Sequence, residues 1–253
     1  MKQRKFILTT AICCLLMLFS IITVGAETYH LGDTDMSIRV DDSSWYVFTR
    51  DNIKNNSELD ELDISYDSMY DILYNNEAYM YAILLYDDGE YVELFVRKRA
   101  IDSGMANLSN YSEKDALELA KGLAKRVNAE EYSVYENQYK FAKLEYVDSN
   151  LGYYMCEFFT VVNKDNYTFT FQSTSPFVDT EYEEIESIID SIQFDVDTSL
   201  KEKKSSFLGD NVIEATIRGA IIGGGASIIA LLFGKKKKKM KKNIESSSVD
   251  SID

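Results

Sequence analysis

Few residues in this chain carry obvious chemistry. Its 253 residues include one histidine, His30, and three cysteines. Cys13 and Cys14 lie inside an N-terminal apolar run, so Cys156 is the only thiol outside it. One histidine and one cysteine cannot build a zinc site of nitrogen and sulfur ligands within one chain, nor close an intramolecular disulfide. Cys156 stands among apolar residues in YYMCEFFTVV, which favours a buried, inert thiol over a nucleophile. His30 lies a few residues past the expected cleavage site of an export signal, where chain ends are usually mobile, so no catalytic triad is expected on it.

Carboxylates are the remaining candidates. Asp102-Ser103-Gly104 after Ala100-Ile101 resembles the catalytic tripeptide of aspartic proteases, in which two such loops share a proton. It occurs once, and Met105-Ala106-Asn107 does not continue that pattern, so a plain turn is expected. The pairs Asp33/Asp35, Asp41/Asp42 and Asp87/Asp88 offer oxygen ligands for calcium, but no twelve-residue loop of the EF-hand pattern contains them. A solvated acidic surface is the expectation. Tyr79, Tyr81, Tyr86, Tyr91, Tyr153 and Tyr154 could present a sugar or peptide platform, although tyrosine is also a favoured strand residue. No catalytic, metal or cofactor-binding residue is assigned, and no cofactor is expected.

The ends of the chain speak of a membrane. MKQRK, an apolar stretch over 6–24 and Val24-Gly25-Ala26 match a signal peptide over 1–26, with cleavage after Ala26; an uncleaved anchor is the alternative. Residues 212–234 are apolar apart from Glu214, Thr216 and Arg218, and KKKKKMKK follows at once. This reads as a transmembrane helix behind a linker over 201–211, with the tail over 235–253 in the cytoplasm by the positive-inside rule. Arg218 would snorkel to the outer interface, and Lys235, Lys236, Lys237, Lys238 and Lys239 would meet the inner leaflet and its anionic lipids. Gly219, Gly223 and Ser227 repeat every four residues, a face on which two such helices could approach, which allows a homo-oligomer. Between the ends, residues 27–211 carry 38 acids against 16 bases, a net charge of −22, while the tail carries +4. Such a field disfavours nucleic acid and favours cationic partners.

Residues 27–200 should form one extracytoplasmic domain, since the stretch is rich in aromatic residues and about one domain long. Period-two stretches predict strands over 36–40, 45–49, 78–86, 91–98, 139–147, 153–162 and 167–172. Asp87-Asp88-Gly89 and Asp165-Asn166 are the expected hairpin turns, so the sheet should be mainly antiparallel. Helices are expected over 112–127, opened by Ser112 and Asp115 as a capping box, over 180–192, and more briefly over 66–75. The fold class is α+β, a curved antiparallel sheet packed with helices, plus the one C-terminal membrane helix.

The pair YYMCEFFTVV and YTFTFQSTSPF, followed by EYEEIESIIDSIQF and preceded by MSIRV and SSWYVFTR, resembles the Mog1/PsbP-like fold over residues 34–197. Asp41 to Ser44 replace the glycine- and proline-bearing stretch usual before the Trp in that family. The resemblance implies a binding or assembly role, because the fold hosts lipoproteins, photosystem accessory subunits and a small-GTPase partner. The expectation is therefore a non-enzymatic binding or accessory module, held about 15 residues from the bilayer and meeting a membrane or cell-surface protein. The alternatives are a carboxylate-dependent hydrolase at the cell surface and an oligomeric scaffold acting through the GxxxG helix.

Overall fold

The computed structural model describes residues 26–41, 43–197, 199–200 and 210–219. A seven-stranded, wholly antiparallel sheet dominates it. Its strands are β3 (Trp45–Thr49), β4 (Ala78–Leu85), β5 (Tyr91–Ala100), β6 (Glu131–Glu136), β7 (Lys140–Val147), β8 (Tyr154–Val162) and β9 (Asp165–Ser173), in the order β3-β4-β5-β9-β8-β7-β6. A second sheet sets β2 (Met36–Asp41) between β1 (Ala26–Leu31) and β10 (Gln193–Phe194).

The helices are α1 (Ser57–Glu61), α2 (Tyr66–Tyr70), α3 (Glu113–Val127), α4 (Asp179–Asp190) and α5 (Asp210–Gly219). A π-turn over Asp71–Asn75 continues α2. The Ser112 hydroxyl accepts from the Asp115 amide at 3.2 Å and donates to its carboxylate at 2.7 Å, which starts α3 as expected; Asn128, at φ 56, ends it.

Period-two alternation gives the sheet two buried faces. On the first, Val92, Leu94 and Val96 of β5 join Phe169 and Phe171 of β9, Phe158 of β8 and Phe141 of β7 under the isoleucine stripe Ile185, Ile188 and Ile189 of α4. The small sheet closes this layer with Leu31, Met36, Ile38 and Val40. The second face is split. One half packs Phe48, Tyr81, Ile83 and Phe95 against α1 and α2, and the other packs Leu144, Met155, Phe159 and Val161 against Leu119, Ala120 and Leu123 of α3. The α+β architecture with an antiparallel sheet is thus as the sequence implies.

Several local expectations change. Asp165 and Asn166 belong to β9, and the β8–β9 turn is made by Asn163 and Lys164, both left-handed at φ 55 and 68, the backbone a two-residue hairpin of matching twist requires. The Asn163 amide also reaches the small sheet, donating to Asp35 at 3.0 Å and to the Asp195 carbonyl at 2.8 Å. The other expected hairpin holds, with Gly89 at φ 87 and its amide bonded to the Tyr86 carbonyl. His30 is not at a loose end: it lies within β1, paired with Ser37 of β2.

Among the described residues no helix is long and apolar enough to cross a membrane, and residues 220–253 lie outside them. The segment expected to begin the membrane helix is seen as α5, which starts two residues earlier than 212. Ile217 of α5 packs over Gly122 of α3, where a β-carbon would collide with it, and the Arg126 guanidinium bonds the Ile217 carbonyl.

Candidate functional site

Where the second face is split, β5, β8 and β9 carry polar residues in place of apolar ones. Glu93 and Glu157 are both fully buried, and Arg97 is 4% exposed. Tyr81 and Gln172 donate to the two oxygens of Glu93, each at 2.6 Å. Tyr146 at 3.1 Å and Thr170 at 2.9 Å do the same for Glu157. Burial lowers the Arg97 pKa, and the neighbouring Glu157 carboxylate works against that shift. The Tyr81 and Tyr146 hydroxyls are pushed well above the ordinary tyrosine value by burial and by these carboxylates. Two carboxylates with a cation between strands are the raw material of hydrolysis, but here both acids are sealed from solvent and already hold tyrosine, threonine and glutamine donors.

An open cleft of about 450 Å³ lies at the β6–β7 edge of the sheet. It is bounded by the end of α3, the β6–β7 pair, the start of β8 and the start of α4. Tyr154, Phe177 and Tyr182 form its walls, and Glu130, Glu131 and Glu145 supply its charge. Tyr182 donates to Glu145 at 2.7 Å, and burial followed by that bond raises the Tyr182 pKa. The Lys143 ammonium stands behind this wall, 3.1 Å from Glu145 and 3.5 Å from Glu186, and 5.2 Å from the Tyr182 ring centre. Burial opposes its charge, but the Glu145 and Glu186 carboxylates beside it outweigh burial and hold its pKa raised. A second hollow, about 530 Å³, runs along the β1–β2 turn beside His30 and Asp195.

The residues singled out in the sequence fall in scattered places. Cys156 is fully buried, and burial pushes its thiol pKa far up, which suits the inert reading. In the native protein at pH 8 it is expected to react with Ellman's reagent at least roughly 100-fold more slowly than in denaturant, since attack waits on local opening. Fast labelling of folded protein would contradict that burial. Asp102 is exposed on a turn in which the Ser103 hydroxyl accepts from the Met105 amide at 3.2 Å.

The acidic pairs do not converge. The Asp35 carboxylate takes the Asn163 amide, Asp41 caps Ser43, and Asp42 lies outside the described residues. Among the described residues no three His, Cys, Asp or Glu side chains are placed to share a metal ion. Arg218 is exposed and pairs with Glu214 at 3.6 Å, and Gly219 ends α5; Gly223, Ser227 and Lys235 to Lys239 lie outside the described residues.

The strand tyrosines do not form a platform, because Tyr81 and Tyr91 are buried. Exposed tyrosines sit instead at Tyr66, Tyr70 and Tyr74, a helical i, i+4 spacing visible in the sequence. Tyr70 and Tyr74 stack with ring centroids 4.4 Å apart, Tyr66 lies tilted against Tyr70 at 6.0 Å, and the Arg50 guanidinium lies between Tyr74 and Tyr79. The ring faces that would hold a sugar are therefore largely turned to each other. The interior acids Glu93 and Glu157 lie outside the sequence-based candidates, although each is a charged residue inside an apolar run, YVELFV and MCEFFT, which is a readable signal.

No family model matches the chain, and no curated protein does. Among solved structures it is similar to the solution structure of cyanobacterial PsbP (CyanoP) from Synechocystis sp. PCC 6803. The two are 11% identical, with 69% of this chain and 95% of that chain covered and a TM-score of 0.41. A likeness of that size says nothing of ligand or activity.

Proposed function

We propose that the protein is a membrane-tethered, extracytoplasmic binding or accessory module that works without catalysis. The observation that carries this reading is the state of the interior carboxylates. Glu93 and Glu157 are fully buried and held by neutral donors, so neither is placed to protonate a leaving group or activate water. The open concavity, by contrast, is walled by aromatic rings and acids and contains no histidine, cysteine, serine or lysine. Such a surface suits binding: it holds no serine, cysteine or lysine nucleophile, and the Glu145 carboxylate is already taken up by Tyr182 and Lys143. Tethering and export rest on the sequence: the charged and apolar start with Gly25-Ala26, and the apolar run over 212–234 that abuts seven lysines. The −22 charge of residues 27–211 suits a cationic partner at the membrane.

Affinity capture of the full-length protein from membranes in a neutral detergent tests this. A membrane or cell-surface protein is expected to co-purify in stoichiometric amount. No partner, together with hydrolase activity in the purified protein, would replace this reading with a carboxylate-dependent hydrolase.

A further inference from the structure

The aromatic-walled cleft carries an unbalanced charge that the fold does not explain. Glu131 of β6 lies directly opposite Glu145 of β7 in the antiparallel register. Like charges so placed have β-carbons only about 5 Å apart and weaken the pairing. Glu130 adds a third carboxylate, and no lysine, arginine or histidine lines the cleft. Lys143 relieves part of this from behind, where its ammonium lies against a carboxylate and an aromatic ring at once, Glu145 and Tyr182. The protein thus already uses one side of this wall to hold an ammonium. The cleft side presents the rings of Tyr182, Tyr154 and Phe177 around the remaining acids, with space for an aliphatic stem beneath a charged head.

Taking the reading of the domain as a binding module as given, we infer that this cleft receives a lysine or arginine side chain from a protein partner. The cation settles between Glu131 and Glu145 and removes their repulsion, while the stem packs on the rings. An anionic ligand is excluded by the same charges. Free polyamine has the same ammonium chemistry without a polypeptide, and the test separates the two.

Full-length protein in neutral detergent at physiological salt would be titrated by calorimetry with acetyl-(Gly-Lys)3-amide, with its Nε-acetylated counterpart and with spermidine. The lysine peptide is expected to bind, the acetylated one not to. Glu131→Gln is expected to weaken binding at least tenfold. Because it removes a like-charge pair, the same change should raise the melting temperature of the ligand-free protein by about 1–3 °C. That combination, more stable and less able to bind, is not produced by a merely damaged fold or by general attraction to a −22 surface.

Equal affinity of Glu131→Gln and parent for the peptide would overturn the inference, since the charge as a whole would then be the attractant. Absence of peptide binding would overturn it too, and a partner still captured from membranes would leave the module reading standing. Tighter binding of spermidine than of the peptide, lost in Glu131→Gln, would overturn the protein partner in favour of a free polyamine.

Discussion

An Arg97→Met variant is expected to unfold with about 1–3 kcal/mol less free energy than the parent, because it removes the cation in whose field the buried Glu157 carboxylate lies. Arg97 is 4% exposed, and its guanidinium lies in the field of Glu157, itself fully buried. The methionine keeps the volume and the apolar stem, so the loss reads charge and not packing. A double variant, Arg97→Met with Glu157→Gln, leaves one buried acid fewer and should recover at least half of the loss, the non-additivity expected of neighbours in one network. Urea denaturation at pH 7 followed by the fluorescence of Trp45 measures both. A single-variant loss below about 1 kcal/mol would mean that the strip is neutral and that the carboxylates hold protons.

Alkali should unfold the protein abruptly. Tyr81, Tyr146 and Tyr167 all lie in the interior, and burial raises each pKa above the ordinary 10.0, with Glu93, Glu157 and Asp165 respectively adding to the shift. A tyrosine whose pKa is raised on folding keeps its proton in the native state after the unfolded chain has lost it. Its contribution is therefore full below pH 10 and is lost as pH climbs past that value towards the native pKa. Each such tyrosine removes about 1.4 kcal/mol per pH unit there, so three remove about 4. A domain of ordinary stability is exhausted within roughly two to three pH units. Tyrosinate absorbance at 295 nm should rise in one steep step that coincides with the loss of tertiary signal. A gradual titration of all 18 tyrosines centred on pH 10, with the fold intact, would contradict this.

Both effects come from residues whose meaning the sequence only half shows. Seven strand candidates are legible because runs of aromatic and β-branched residues mark strands, nearly unbroken where the sheet is covered on both sides, and α3 announces itself through Ser112, Asp115 and its leucine face. β6, EYSVYE, escaped because its side chains are exposed or half-exposed along its length, so no apolar period marks it. β1 is hidden because a segment just after an apolar N-terminal run reads as a loose end, while its pairing partner β2, MSIRV, carries a period-two apolar pattern. The turn at Asn163 and Lys164 was displaced by one pair because two non-glycine residues in left-handed conformation carry little local signature.

The sites were harder still. Glu93 and Glu157 are each visible as an acid in an apolar run, yet only the register through β9 brings both to one face. The cleft draws Glu131, Glu145, Tyr154, Phe177 and Tyr182 from five separate segments, and nothing short of the β6–β7 pairing places Glu131 opposite Glu145.

Labelling of spheroplasts with a membrane-impermeant maleimide tests the central claim, an acidic binding domain held outside by the C-terminal segment. Asn150→Cys puts a thiol on the exposed β7–β8 turn, and Ser247→Cys puts one in the lysine-rich tail; native Cys156 is buried and silent. The account predicts that Cys at 150 is labelled at once in intact spheroplasts and Cys at 247 only after permeabilisation. Protection of position 150 until the membrane is breached would contradict it.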